Sequence, residues 1–174
     1  MNLALLTLRV IVGGLFVGHG CQKLFGWFGG HGPKGTASFF EGIGLRPALP
    51  LVVLAGTAEL AGGLLLGLGL FVPVAALLLV GVMVTATAAV HWKNGLWATE
   101  GGFEYPLVLA AVAFAVAVLG PGSISLDHAF GIDWAGVRWA VGAAILGALG
   151  GLSAFALTRI TRRTQRPAPQ AQAA

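Results

Sequence analysis

Five stretches of this chain are each close to the length that crosses a hydrocarbon layer and are nearly free of charge, and that pattern decides the fold class. A helix needs about 20 mostly apolar residues to traverse roughly 30 Å. Windows bounded by charge, proline or glycine run over 2–25, 50–71, 73–92, 104–119 and 134–157. Only 9% of the 174 residues are charged and 57% are hydrophobic, against about a quarter charged in a soluble domain. A water-soluble globule is excluded. The 28 glycines follow no collagen-like period, which excludes a fibre. The expectation is an all-α, polytopic membrane helix bundle: a four-helix core over 1–131, an additional transmembrane helix over 132–158 and a basic, disordered tail over 159–174.

The connections refine this. Val72 and Pro73 join the second and third spans, and proline in the first turn of a helix fits a tight antiparallel hairpin. Pro121 after Gly120 closes the fourth span. The first span has no basic start before Arg9 and no small-residue cleavage pattern, so it is expected to be retained rather than cleaved as a leader. Thr36 to Leu45, with Phe39, Phe40, Ile43 and Leu45, fits a short interfacial or re-entrant segment packed on the bundle. The pairs Gly14/Gly18, Gly63/Gly67 and Gly147/Gly151 are spaced for close helix approach in lipid. Four of the ten cations lie in the last sixteen residues, and Lys23, Lys34, Arg46 and Lys93 would share their side with five spans. The positive-inside rule then places the C-terminus in the cytoplasm and the N-terminus outside a bacterial inner membrane. A tail beside an apolar helix also accounts for the net charge of +4 without nucleic acid.

Ionisable groups within a span cost at least about 2.5 to 3.5 kcal/mol each at the helix centre, so each needs a partner or a role. They are Arg9, His19, Lys23, Glu59, His91 and Glu104. Arg9, Phe16 and Lys23 recur every seven residues, and His19 falls within about 80° of the same stripe. One polar face of the first helix is therefore expected to point inward. By depth, His19, Lys23, Glu59, His91 and Glu104 belong to one half of the membrane, with Arg9 approaching Glu59 from the other side. A buried network around Glu59 is the expectation; Phe16, Phe25, Trp27, Trp92 and Trp97 could wall a pocket there, although aromatics at membrane edges more often serve as interface anchors.

Two readings of that network stay open. In the structural one, Glu59 neutralises Arg9 or Lys23 and the histidines bond to carbonyls. In the functional one, His19, Glu59 and His91 are catalytic and move protons, while Arg9, Lys23, Glu104 and Trp92 bind substrate. A b-type haem held by His19 and His91 is a weaker alternative. Cys21 is alone, so no internal disulfide, Cys-x-x-Cys pair or thiolate metal site is possible, and redox chemistry must use another group. No metal site is expected. Nucleotide-binding, covalent-haem and nucleophile-elbow motifs are missing from the sequence.

Several pieces of the chain resemble the DoxX-like family of integral membrane proteins. These are Leu8-Arg9, His19-Gly20-Cys21-Gln22-Lys23-Leu24-Phe25-Gly26, Phe39-Phe40, Ala58-Glu59-Leu60-Ala61-Gly62-Gly63, His91-Trp92-Lys93-Asn94-Gly95, Gly101-Gly102-Phe103-Glu104-Tyr105, and Gly120 through Asp127. The resemblance runs in order from about Leu5 to Gly131 and implies a four-helix core, from which the fifth span and basic tail depart. Its relatives are described as the membrane subunit of a thiosulfate:quinone oxidoreductase, as oxidoreductases linked to catechol or quinone stress, and as the membrane member of a mycobacterial complex with superoxide dismutase and a sulfurtransferase. It implies Arg9, His19, Lys23, Glu59, His91, Glu104 and Asp127 as motif residues. In Ser123 to Asp127 the hydroxyls and carboxylate read better as backbone caps than as catalysts.

The expected function is therefore the membrane subunit of a quinone-linked oxidoreductase system, binding a quinone or small sulfur-redox molecule with no covalent cofactor. Its expected partners are the bilayer and a soluble redox protein, with a homo-oligomer left open. The alternatives are a non-catalytic scaffold for soluble redox or stress enzymes and, more weakly, a small-solute transporter.

Overall fold

Proline and glycine mark the ends of the helices where the sequence places them. The structure is a computed structural model that describes residues 2–164, with side chains through Thr158. Among the described residues seven α-helices run in order: α1 Asn2–Leu24, α2 Gly32–Gly42, α3 Ala48–Leu68, α4 Val72–Ala86, α5 Glu104–Leu119, α6 Leu126–Ala129 and α7 Val137–Thr164. α4 continues through a π-helical turn, Thr87–His91, and a 3-10 turn, Trp92–Asn94. No strand occurs among the described residues. The tail beyond Thr164 lies outside the described residues.

Among the described residues four helices are long and apolar enough to cross a membrane: Asn2–Leu24, Ala48–Leu68, Val72–Asn94 and Val137–Thr158. α5 has 16 residues, about 24 Å at 1.5 Å per residue. It nevertheless returns the chain across the bundle, because α4 and α7 run parallel: Gly147 abuts Leu77 and Gly151 abuts Gly81. The result is a polytopic helix bundle whose core joins Val12 and Phe16 of α1, Leu66 of α3, Leu79 and Met83 of α4, Leu109 and Val116 of α5, and Ala140 of α7.

Close backbone approach sets two of the helix pairs. α1 and α3 lie antiparallel: a Cβ at Gly13 would sit 2.6 Å from the Gly63 carbonyl oxygen, and one at Gly20 would sit 2.7 Å from the Leu60 nitrogen. Gly63 is thus at the seam as expected, but its partner is Gly13; around Gly14 and Gly18 there is open space. The reason is helical phase, since one residue turns the contact by about 100°. Gly147 and Gly151 do form a seam, with Gly81 of α4. In lipid such van der Waals contact replaces the hydrophobic drive between helices.

The α3–α4 hairpin turns on Gly69 to Phe71 rather than on Val72 and Pro73. Gly69 caps α3 in the left-handed region (φ 64°), with Gly69 N–H donating to Leu66 O and Leu70 N–H to Leu65 O; this is a glycine-terminated helix end. Phe71 also has positive φ (47°). α2 is a short helix opened by Pro33 and lying against α3 and α1, with Phe39 exposed and Phe40 half-buried.

Candidate functional site

The ionisable residues of the spans separate into groups at opposite ends of the bundle. At one end, the Lys23 ammonium donates to both Glu59 oxygens, at 2.8 Å to Oε1 and 2.6 Å to Oε2. Glycine spacing creates this contact. Gly56 precedes Glu59 by three residues and lies on the same face of α3; a Cβ there would meet Lys23 Cβ at 3.2 Å and the Leu24 side chain at 2.8 Å. The last turn of α1 therefore lies close on α3, and the lysine stem reaches the carboxylate. The Glu59 side chain is 4% exposed and that of Lys23 22%, so the lysine is the half of the pair that touches the surroundings.

This pair is set in the wall of a cavity of about 380 Å³ between α2, α3, α4 and α7. Phe40, Leu54, Ala55, Leu78 and Ala154 give it an apolar lining. Thr85 and Thr158 add hydroxyls, both engaged with backbone: Thr85 Oγ1 lies 3.0 Å from Gly81 O and 3.1 Å from Gly151 O, and Thr158 Oγ1 donates to Phe155 O at 2.6 Å. A molecule in this space meets hydrocarbon on nearly every side and a charged pair at one point.

The aromatics offered for a pocket wall do not line this cavity. Phe16 is wholly inside the core, and Phe25, Trp27, Trp92 and Trp97 are exposed; the cavity takes Phe39 and Phe40 instead. The share that α7 and the threonines contribute was not anticipated. Glycine spacing in 147–151 signalled a packed helix, but nothing in one chain says which helix it packs on.

Arg9, His19, His91 and Glu104 do not join Glu59. His19 Nδ1 is 3.1 Å from Gln22 Oε1, and its ring meets Tyr105 edge-on with centroids 6.5 Å apart. Gln22 Nε2 donates onward to Phe28 O at 3.2 Å, which holds a residue with φ +52°. His91 Nδ1 is 2.8 Å from Gly101 O; a carbonyl only accepts, so this nitrogen carries the proton. Asn94 Nδ2 donates to the same oxygen at 3.1 Å. Glu104 Oε2 accepts from Ala98 N–H at 2.9 Å, and Trp92 stacks on Phe103 (centroids 5.6 Å, 16°). His91, Trp92 and Glu104 thus brace the connection between α4 and α5.

Arg9 lies at the far end, 14 residues before Lys23 and so about 21 Å away along α1. It is 1% exposed. Its Nη2 donates to Ile124 O, its Nη1 packs against Gly69, where a Cβ would be 1.6 Å away, and its Nε and Nη1 have no hydrogen-bond partner among the described residues. Asp127, also 1% exposed, supplies the nearby opposite charge. Its Oδ1 accepts from Phe71 N–H at 2.8 Å and its Oδ2 from Val72 N–H at 3.4 Å. The carboxylate therefore caps the start of α4, where the helix presents free N–H groups. The capping expected of the Ser123–Asp127 run is present: Ser125 Oγ accepts from His128 N–H at 3.2 Å. Among the described residues no cluster of three metal-ligating side chains occurs.

The sequence profile of the DoxX family matches residues 4–92, which covers α1 through the turn that ends α4. A Bacillus subtilis (strain 168) protein named "Putative oxidoreductase CatD" is 31% identical over 122 residues, 70% of this chain and 83% of that one. No solved structure matches. The family profile runs through Arg9, Lys23 and Glu59, and with the CatD similarity it shows that the chain belongs to the DoxX family of membrane proteins.

Proposed function

We propose that this chain is the membrane component of a redox system and that its α2/α3/α4/α7 cavity takes a quinone or a small sulfur-redox molecule. One observation carries the reading: a buried carboxylate and its lysine stand in an otherwise apolar wall. Buried ion pairs seldom improve on apolar packing for stability, so one kept at a cavity wall argues for a ligand. A quinone has the matching division of polarity, with carbonyl oxygens on a ring and a hydrocarbon tail. Lys23 Nζ would donate to a carbonyl oxygen, while Glu59 holds the ammonium and passes a proton. Reduction to the quinol takes two electrons and two protons. The protons enter past the partly exposed Lys23, and the electrons come from a reduced soluble partner or a sulfur substrate. The similarity to a protein named as an oxidoreductase agrees with this class. The reading rests on Lys23 and Glu59; His19, His91, Arg9, Glu104 and Trp92 keep the bracing contacts described above. The cation distribution supports a cytoplasmic C-terminus in a bacterial inner membrane.

The test is equilibrium binding of a decyl-substituted benzoquinone to detergent-purified full-length chain. Lys23→Met combined with Glu59→Leu is expected to keep the fold and to weaken binding at least tenfold; unchanged affinity in that folded double variant overturns the reading. A second reading is favoured by the hydrogen bonds of His91, Asn94 and Glu104, which hold the exposed 92–101 connection in a set shape. In it the chain is a scaffold that presents this connection to a soluble redox enzyme.

A further inference from the structure

A second cavity, of about 550 Å³, lies on the other side of α4, between α4, α5 and α7. Met83, Val84, Leu107, Ala110, Leu152 and Phe155 line its length, and Trp92 with Phe103 closes one end. The π-helical turn divides the two spaces: Ala89 and Val90 face the first, Thr87 and Ala88 the second. Among the described residues no titratable side chain lines this groove, so its occupant within the membrane is hydrocarbon.

Charge at the aromatic end identifies the rest of that occupant. Lys93 follows Trp92 and is exposed. In the parallel pairing of α4 with α7, residue 147 abuts 77 and residue 151 abuts 81, an offset of 70 that sets the 89–93 segment level with about 159–163. The sequence carries Arg159, Arg162 and Arg163 in those turns of α7, against Glu100 and Glu104 in the neighbouring connection. With Lys93 these make four cations at this level of the bundle to two carboxylates, and Glu104 is already engaged with Ala98 N–H. A stacked Trp92–Phe103 pair is suited to the boundary between hydrocarbon and headgroup. We propose that the α4/α5/α7 groove holds an acyl chain of an anionic phospholipid, with its headgroup phosphate at the Lys93 end. The inference is independent of the redox reading, since it concerns the opposite face of α4. Basic clusters just beyond an apolar helix recognise anionic lipid at about a fivefold gain per cation.

The test uses full-length chain in detergent, mixed with equal amounts of phosphatidylglycerol and phosphatidylethanolamine of identical acyl chains, with retained lipid read by native mass spectrometry. Phosphatidylglycerol is expected to be retained at least tenfold over phosphatidylethanolamine. Lys93→Gln, on an exposed surface, should lower that preference about fivefold. Leu107→Trp, which fills the groove from its exposed side, should reduce retention of both lipids. Equal retention of the two headgroups by the parent chain overturns the proposal, as does wild-type retention in a folded Leu107→Trp variant. Should Leu107→Trp not fold, the Lys93→Gln arm decides: an unchanged preference overturns the headgroup assignment.

Discussion

The Lys23–Glu59 pair gives the most demanding prediction, because its two halves differ in exposure. Replacing Lys23 with Met leaves a carboxylate only 4% exposed without its ammonium, and breaking a buried pair from one side costs about 3 to 5 kcal/mol. The loss here should be about 3 kcal/mol, since Glu59 can take up a proton instead of remaining charged. Replacing Glu59 with Leu leaves the other partner, which at 22% exposure and at the end of α1 can carry its ammonium outward on a flexible stem. That loss should be about 1 to 2 kcal/mol. Both replacements together remove the charges and restore apolar volume, which in comparable cases is close to neutral, so about 0 to 1 kcal/mol is expected. The coupling between the sites is then about 3 to 5 kcal/mol in a double-mutant cycle. Reversible unfolding in mixed micelles of the parent, both single variants and the double variant measures all four corners. Equal losses for the two single variants would refute the exposure argument. A double variant as unstable as the sum of its parts would refute the pair as a coupled unit.

The opposite end of the bundle predicts a different signature. Asp127→Ala removes the acceptor for Phe71 and Val72 N–H and the counter-charge of Arg9; about 3 kcal/mol should be lost, with faster proteolysis of the 120–131 segment, whereas Asp127→Asn should cost less. Gly69→Ala asks for φ 64° with a Cβ 1.6 Å from Arg9 Nη1, so it should lower thermal stability more than any single replacement of Lys23 or Glu59. Gly151→Leu places a side chain where Cβ alone would be 2.4 Å from Gly81 O; it should part α4 from α7, read as a longer distance between spin labels on the two helices. His91→Ala should raise amide exchange across residues 95–104 and leave benzoquinone affinity within twofold, since the His91 bond goes to Gly101 O; a tenfold loss of affinity would return His91 to the site.

How much of this was legible in the chain divides along one line, between what a helix does to its own residues and what a fold does to distant ones. The spans were legible because hydrocarbon penalises charge over a fixed length. The inward stripe of α1 was legible too: Arg9, Phe16 and Lys23 all face the hairpin side, and they meet Gly69, Gly63 and Gly56 of the α3 segment in that order. The partner of Arg9 was not. Fourteen residues of helix separate Arg9 from Lys23 by about 21 Å, so one carboxylate in α3 cannot serve both. The charge that serves Arg9 comes from Asp127, 118 residues away in sequence, whose place on the Arg9 end depends on α5 crossing back. No local pattern encodes that.

The two ends of α1 explain each other. Between Arg9 and Lys23, α1 and α3 touch through glycines at Gly13, Gly20, Gly56 and Gly63, a smooth seam along which one helix can slide with little change in packing. A small-residue seam specifies closeness well and register poorly, because glycine offers no knob to fit a particular hole. A charge at each end removes the ambiguity: a slip of one turn, about 5.4 Å, would pull Lys23 from Glu59 and Arg9 from Ile124 and Asp127 together, leaving Lys23, Glu59 and Arg9 unmatched in apolar surroundings. Shared register is therefore a structural reason for both pairs. It requires no cavity at Glu59, yet one is present there, while Asp127 is closed in by backbone donors. That difference between two otherwise similar charge pairs is the physical ground for seeking ligand chemistry at Lys23 and Glu59 and structural stability at Arg9 and Asp127.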